Sequence, residues 1–137
     1  MSTVSAGEIR VAINSDQDIV SARQKGRVLA NELGFSSGDA TLIATAISEL
    51  ARNIVSYARK GQITLKMVNG LNRQGIAVIA TDDGPGIPDI RQALRDGFST
   101  SGSLGLGLPG VRRLMDEFEI TSQPGRGTTV AVKKWRQ

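Results

Sequence analysis

Four short stretches of this 137-residue chain carry residue types that could do chemistry. In SELARN (Ser48 to Asn53), Glu49 and Asn53 stand four residues apart. On a helix that spacing puts both side chains on one face, one turn from each other. A carboxylate there can take a proton from a water or an alcohol, and the neutral amide oxygen of Asn53 suits Mg²⁺ that also holds phosphate oxygens and waters. A solvated polar pair on a helix surface would read the same way. In TDDGPGIPD (Thr81 to Asp89), Asp82 could accept a hydrogen bond from the exocyclic amine of a purine, while Gly84 and Gly86 admit a close ligand. An ordinary Asp-Gly/Pro-Gly turn has the same composition. FSTSGSLGLGLPG (Phe98 to Gly110) brings small residues up to a helix start, where free backbone N–H groups and the positive end of the dipole favour phosphate. A loop this poor in side-chain bulk can also serve as a lid. In GRGTT (Gly125 to Thr129), Thr128 could reach a base directly or through water, although a hairpin turn needs no ligand.

The absences narrow the chemistry further. With no cysteine there are no disulfides, thiolate metal sites or cysteine nucleophiles. With no histidine the commonest general base and transition-metal ligand are gone, and a phosphohistidine in this chain is excluded. Carboxylates, amides, hydroxyls and arginines remain. The glycine-rich stretch lacks the G-K-[ST] ending of a P-loop, and it lies too late in the chain for a dinucleotide fingerprint. Lys and Arg number 17 against 13 Asp and Glu, a net charge of +4. The cations are scattered and aromatics make up 4% of residues, so few platforms exist for stacking bases and a nucleic-acid partner is not expected. No apolar run is long enough for a bilayer, and MSTVSAGEIR lacks a secretory pattern; the expectation is a cytoplasmic chain without a membrane partner.

These motifs need a frame. EIRVAIN (Glu8 to Asn14) alternates as a half-buried strand does. Asn14, Ser15 or Asp16 can cap a helix through Leu33, with Gly34 ending it. Ser36 or Ser37 caps a longer helix whose stripe Ile43, Ile47, Leu50, Ile54 and Ala58 recurs at helical spacing up to Gly61. QITLKMV (Gln62 to Val68) and GIAVIATDD (Gly75 to Asp83) read as a hairpin, and Gly84 to Leu108 as loop. A helix from about Pro109 to Phe118 and a second hairpin, EITSQ and TTVAVKKW around Pro124 to Gly127, complete the order. The pattern predicts one domain over 1–137, an α/β (α+β) two-layer sandwich with a mixed, mostly antiparallel sheet and its helices on one face.

The order E-x-x-x-N, D-x-G-x-G, G-x-G-L-P and G-x-G-T resembles the N, G1, G2 and G3 boxes of the GHKL ATPase/kinase superfamily, which has the Bergerat fold. The resemblance spans about Ser36 to Val132. Within the superfamily, AISELARNIVSYARKGQI, DDGPGIPDI, DGFSTSGSLGLGLPGVRRLMDEF, the N-terminal DIVSARQKGRVLANELGF and the ending KKW look like the switch serine/threonine kinases of bacterial stressosomes. The resemblance implies ATP and Mg²⁺, with Glu49 as base and Asn53 holding the metal. It implies that Asp82 reads the adenine amine, that Gly84 and Gly86 make room for the ring, and that Thr128 sits beside it. Gly102, Gly105 and Gly107 would form the lid, with amides near Leu106, Gly107 and Leu108 facing phosphate. One departure stands out: many such sites place a Lys or Arg in the lid, and Phe98 to Gly110 holds none.

Phosphoryl transfer needs little covalent work from a protein, because positioning and charge stabilisation carry most of the rate. A chain of 137 residues has no room for the transducer domains of gyrase, MutL or Hsp90 types, and lacks the histidine that a sensor kinase phosphorylates in cis. The resemblance therefore implies phosphorylation of STAS-domain scaffold or antagonist proteins on Ser or Thr, and activation of a PPM-type phosphatase by the released kinase. Two other readings stand beside it: an anti-sigma-factor kinase, and a non-catalytic nucleotide-binding module that switches partners.

Overall fold

The computed structural model describes residues 4–5, 7–86 and 107–136. In chain order the elements are β1 (Val4–Ser5), β2 (Glu8–Ile13), α1 (Asp16–Glu32), α2 (Ser37–Asn53), a π-helical turn (Ile54–Ala58), β3 (Gly61–Gly70), β4 (Arg73–Asp82), α3 (Gly107–Leu114), β5 (Glu117–Gln123) and β6 (Gly127–Trp135). The strands form one sheet in the order β1-β2-β3-β4-β6-β5, and each pairing among the described residues is antiparallel.

Period-2 burial sets which sheet face meets the helices. Val11 and Ile13 of β2, Ile63 and Leu65 of β3, Val78 and Ala80 of β4, and Val130 and Val132 of β6 are all buried on that face. Against them pack Ile19, Ala22 and Ala30 of α1, Ile43, Ile47 and Leu50 of α2, and Leu108 and Val111 of α3. Gly26 lets α1 approach α2 closely, since a Cβ there would run into the Ile47 side chain. The expected sandwich is therefore present, and α2 lies at its centre between α1, α3 and the sheet.

Four local expectations change. Ser15 is the N-cap of α1 but its side chain makes no capping bond; instead Asp18 Oδ2 accepts from the Asn14 backbone N–H at 2.8 Å. The second helix does not run on as regular α-helix to Ala58. Its last turn widens into the π form and ends at Arg59, which has φ 70°, a left-handed conformation uncommon outside glycine. The third helix starts at Gly107 and stops at Leu114, and Phe118 belongs to β5. The stop has two anchors: Lys134 Nζ donates to the Leu114 carbonyl at 2.9 Å, and Asp116 Oδ2 accepts from the Trp135 N–H at 2.8 Å. The first hairpin is also tighter than expected, with β3 and β4 paired as far as Gly70 and Arg73.

Candidate functional site

The C-terminal half of α2 carries the first two candidate residues. Ser36 caps this helix, its Oγ accepting from the Asp39 N–H at 3.1 Å, and the buried stripe from Ile43 to Leu50 fixes its rotation. That rotation turns Glu49 inward: the residue is 4% exposed. Its Oε1 meets Arg52 Nη1 at 3.4 Å, one turn along the same helix. Its Oε2 is buried and has no hydrogen-bond partner among the described residues. A buried carboxylate oxygen left without a donor costs stability, so its retention points to a group that arrives from outside. Asn53 closes α2 and is half-buried.

The π turn joins this helix end to the sheet. A Cβ on Gly61, at the start of β3, would stand 2.8 Å from Ile54 Cγ2 and 2.5 Å from the Thr81 carbonyl oxygen. A Cβ on Gly84 would stand 2.6 Å from that of Ala58. The glycines of D-x-G-x-G thus have neighbours inside the chain as well as any ligand to accommodate. Gly84 makes way for the π turn, and Gly86, with φ 80°, passes against the Gln123 carbonyl.

Asp82 ends β4 opposite Thr128 of β6, the two being register partners. Its Oδ1 accepts the Gly84 backbone N–H at 2.9 Å, which tethers the loop to the strand end. Thr128 Oγ1 lies 2.8 Å from Ser122 Oγ, so its hydroxyl is oriented by a neighbour on β5. Gly127 has φ 95°, and a Cβ there would collide with the Asp82 carbonyl. Glycine is required at that position for the strand to pass Asp82. A cleft of about 400 Å³ opens between Asn14, Lys60, Gln62, Thr81 and Asp82. It reaches Asp82, while Glu49 and Asn53 are not among its walls.

At the other border of the site, Gly107 and Leu108 form the first turn of α3, both buried, and Leu108 packs into the core. Gly102, Gly105 and Leu106 lie outside the described residues. Of the sequence candidates, the structure brings Asp82, Gly84 and Thr128 together at one sheet end, and the π turn links that end to Asn53. Three residues were missed from sequence. Arg52 could have been found from its i,i+3 spacing to Glu49, and Ser122 from the alternation across the second hairpin. Lys60 gave no signal, because its place in the cleft depends on the π turn.

The donor set can be tested against a metal. Among the described residues no group of three or more Asp, Glu, His or Cys side chains could hold one unaided. Asn53 offers a single hard oxygen, which fits Mg²⁺ brought in with phosphate oxygens and waters and does not fit a metal held by protein ligands alone.

Comparison with known proteins agrees with this architecture. Residues 38–137 match the family described as histidine kinase-, DNA gyrase B-, and HSP90-like ATPase. The serine/threonine-protein kinase RsbT of Bacillus subtilis (strain 168) is 58% identical over 125 residues, covering 91% of this chain and 94% of that protein. The anti-sigma F factor of Thermoanaerobacter sp. (strain X514) is 38% identical over 99 residues, 68% of each chain. Among solved structures, the mycobacterial sensor histidine kinase MprB superposes with a TM-score of 0.56 at 18% identity, covering 93% of this chain and 97% of that one, a likeness of fold alone. Motif order, sheet topology and sequence identity converge: the chain belongs to the histidine kinase-, DNA gyrase B- and HSP90-like ATPase family.

Proposed function

We propose that this chain is an ATP- and Mg²⁺-dependent serine/threonine protein kinase of the partner-switching kind, acting on STAS-domain proteins. The observation that carries it is the buried carboxylate of Glu49, with one oxygen unpartnered and Asn53 one turn further along the same helix. Glu49 Oε2 accepts the proton of a Ser or Thr hydroxyl as its oxygen bonds to the γ-phosphorus; the bond to the β-phosphate oxygen breaks and ADP leaves. Asn53 would hold a Mg²⁺ brought in with the nucleotide, which would supply neutralising charge at the phosphates. Asp82 Oδ2 accepts from the adenine amine while Oδ1 is kept by Gly84, and Thr128 sits beside the ring. Gly84 and Gly86 steer the loop past the base. Gly102, Gly105, Gly107 and the amides around Leu106 and Leu108 serve the phosphates.

The likeness to RsbT supports a Ser or Thr acceptor on a STAS-domain scaffold or antagonist, followed by activation of a PPM-type phosphatase by the released kinase. The likeness to anti-sigma F factors supports a second reading, in which the released protein holds a sigma factor. A cytoplasmic location fits both. No described helix is long and apolar enough to cross a membrane. The test is transfer of label from ATP to a purified STAS-domain protein, with calorimetry of ATP binding with and without Mg²⁺ on the wild type, Asn53→Ala and Asp82→Asn. Labelled acceptor and weakened binding in both variants are expected. A folded wild type that binds no ATP overturns the reading.

A further inference from the structure

Arg52 lies within SELARN but has no role in the E-x-x-x-N pattern, yet it is the one described cation that meets Glu49. The two side chains differ sharply in exposure, 6% for Glu49 and 37% for Arg52. A carboxylate has two equivalent oxygens, and its terminal torsion is broad and nearly two-fold. Nothing in Glu49 itself decides which oxygen faces the acceptor. The surroundings decide: Oε1 is taken by Arg52 Nη1 at 3.4 Å, and Oε2 is the buried atom without a partner among the described residues.

We infer that Arg52 is a positioning residue for Glu49, occupying Oε1 so that Oε2 is the oxygen presented to the acceptor hydroxyl. The inference rests on the kinase reading above. Both residues stand on α2, one turn apart, on a helix whose rotation is fixed by Ile43, Ile47 and Leu50 in the core. The pair is therefore built into a rigid element and does not depend on a loop closing. Removing the cation leaves a buried carboxylate without a counter-charge, free to rotate or to draw in water. The contact is a single nitrogen on a single oxygen, not a two-pronged clamp, so a lysine ammonium can take the same place. Arg52 does not touch the reacting atoms in this scheme. It acts only through Glu49.

The experiment measures phosphoryl transfer from ATP to a purified STAS-domain protein for the wild type, R52A, R52K, E49Q and the double variant E49Q/R52A, with thermal unfolding run on each. R52A is expected to lower kcat roughly ten- to hundredfold, with the KM for ATP and its calorimetric affinity unchanged. R52K is expected to restore most of the lost rate. In the E49Q background, R52A is expected to cost nothing further, because the oxygen it orients is gone. R52A at the wild-type rate overturns the inference, as does an equal loss with and without Glu49. A loss of ATP affinity in R52A also overturns it, by putting Arg52 on the phosphates. A wild type that binds ATP but labels no acceptor brings down the kinase reading first, and this inference with it.

Discussion

The end of α2 and the end of the β4–β6 ladder are linked by the π turn, but they are built on opposite terms. On α2, Glu49 and Asn53 are one turn apart, and one carboxylate oxygen of Glu49 is buried with no partner among the described residues. On the ladder, Asp82 and Thr128 are far apart in sequence and are brought face to face by register. There the side-chain groups are engaged within the chain: Asp82 Oδ1 with the Gly84 N–H, Thr128 Oγ1 with Ser122 Oγ. The helix end stores an unmet demand, which suits a group that must act on something arriving. The ladder end is pre-set, which suits recognition of a fixed shape. On the proposed reading, one fold separates reactivity from recognition by the element that carries each.

Substitutions on the two sides should therefore fail in different ways. The largest effect is expected from Glu49→Gln, which should lower phosphoryl transfer roughly a hundred- to ten-thousandfold while ATP binding by calorimetry stays near the wild type. Equal losses of binding and turnover would erase the distinction between the two regions. Gly127→Ala comes next: it forces a Cβ against the Asp82 carbonyl at φ 95° and should destabilise the fold by about 2–3 kcal/mol in denaturant unfolding. Asp82→Asn should reverse the Glu49 pattern, weakening ATP binding roughly tenfold with the unfolding midpoint little changed. The smallest effect belongs to Ser122→Ala. It releases the Thr128 hydroxyl and should cost about 1 kcal/mol or less, read as a few-fold loss of ATP affinity with turnover at saturation intact.

The same split explains what could be read from the sequence. The sandwich followed from local pattern: the alternating strand at Glu8 and the helical stripe from Ile43 to Leu50 each report burial by spacing alone. Glu49 and Asn53 were visible for the same reason, since a helix converts a spacing of four into a shared face. The π turn was not visible, because Ile54 and Ala58 continue a helical stripe in sequence; the widening accompanies tertiary packing of Ala58 against Gly84 and Ile54 against Gly61. Nor was the boundary near Leu114, where the helix gives way because Lys134 and Asp116 tie its end to β6. The contribution of Ser122 needed the register of the last hairpin, which no spacing states.

The sheet order carries a consequence for how the protein is made. Strand β6, which follows β5 in sequence, lies inside the sheet between β4 and β5. A nascent chain that has emerged through β5 still has β4 open along one edge, and Asp82 has no Thr128 opposite it. The long pairing of β4 with β6 waits for β6 itself to clear the ribosome, so the sheet cannot be completed strand by strand in the order of synthesis. Until then β4, with Ile76, Val78 and Ala80 on the face that becomes core, is an unpaired apolar edge. Protection of that edge until β6 emerges becomes a requirement of the topology itself.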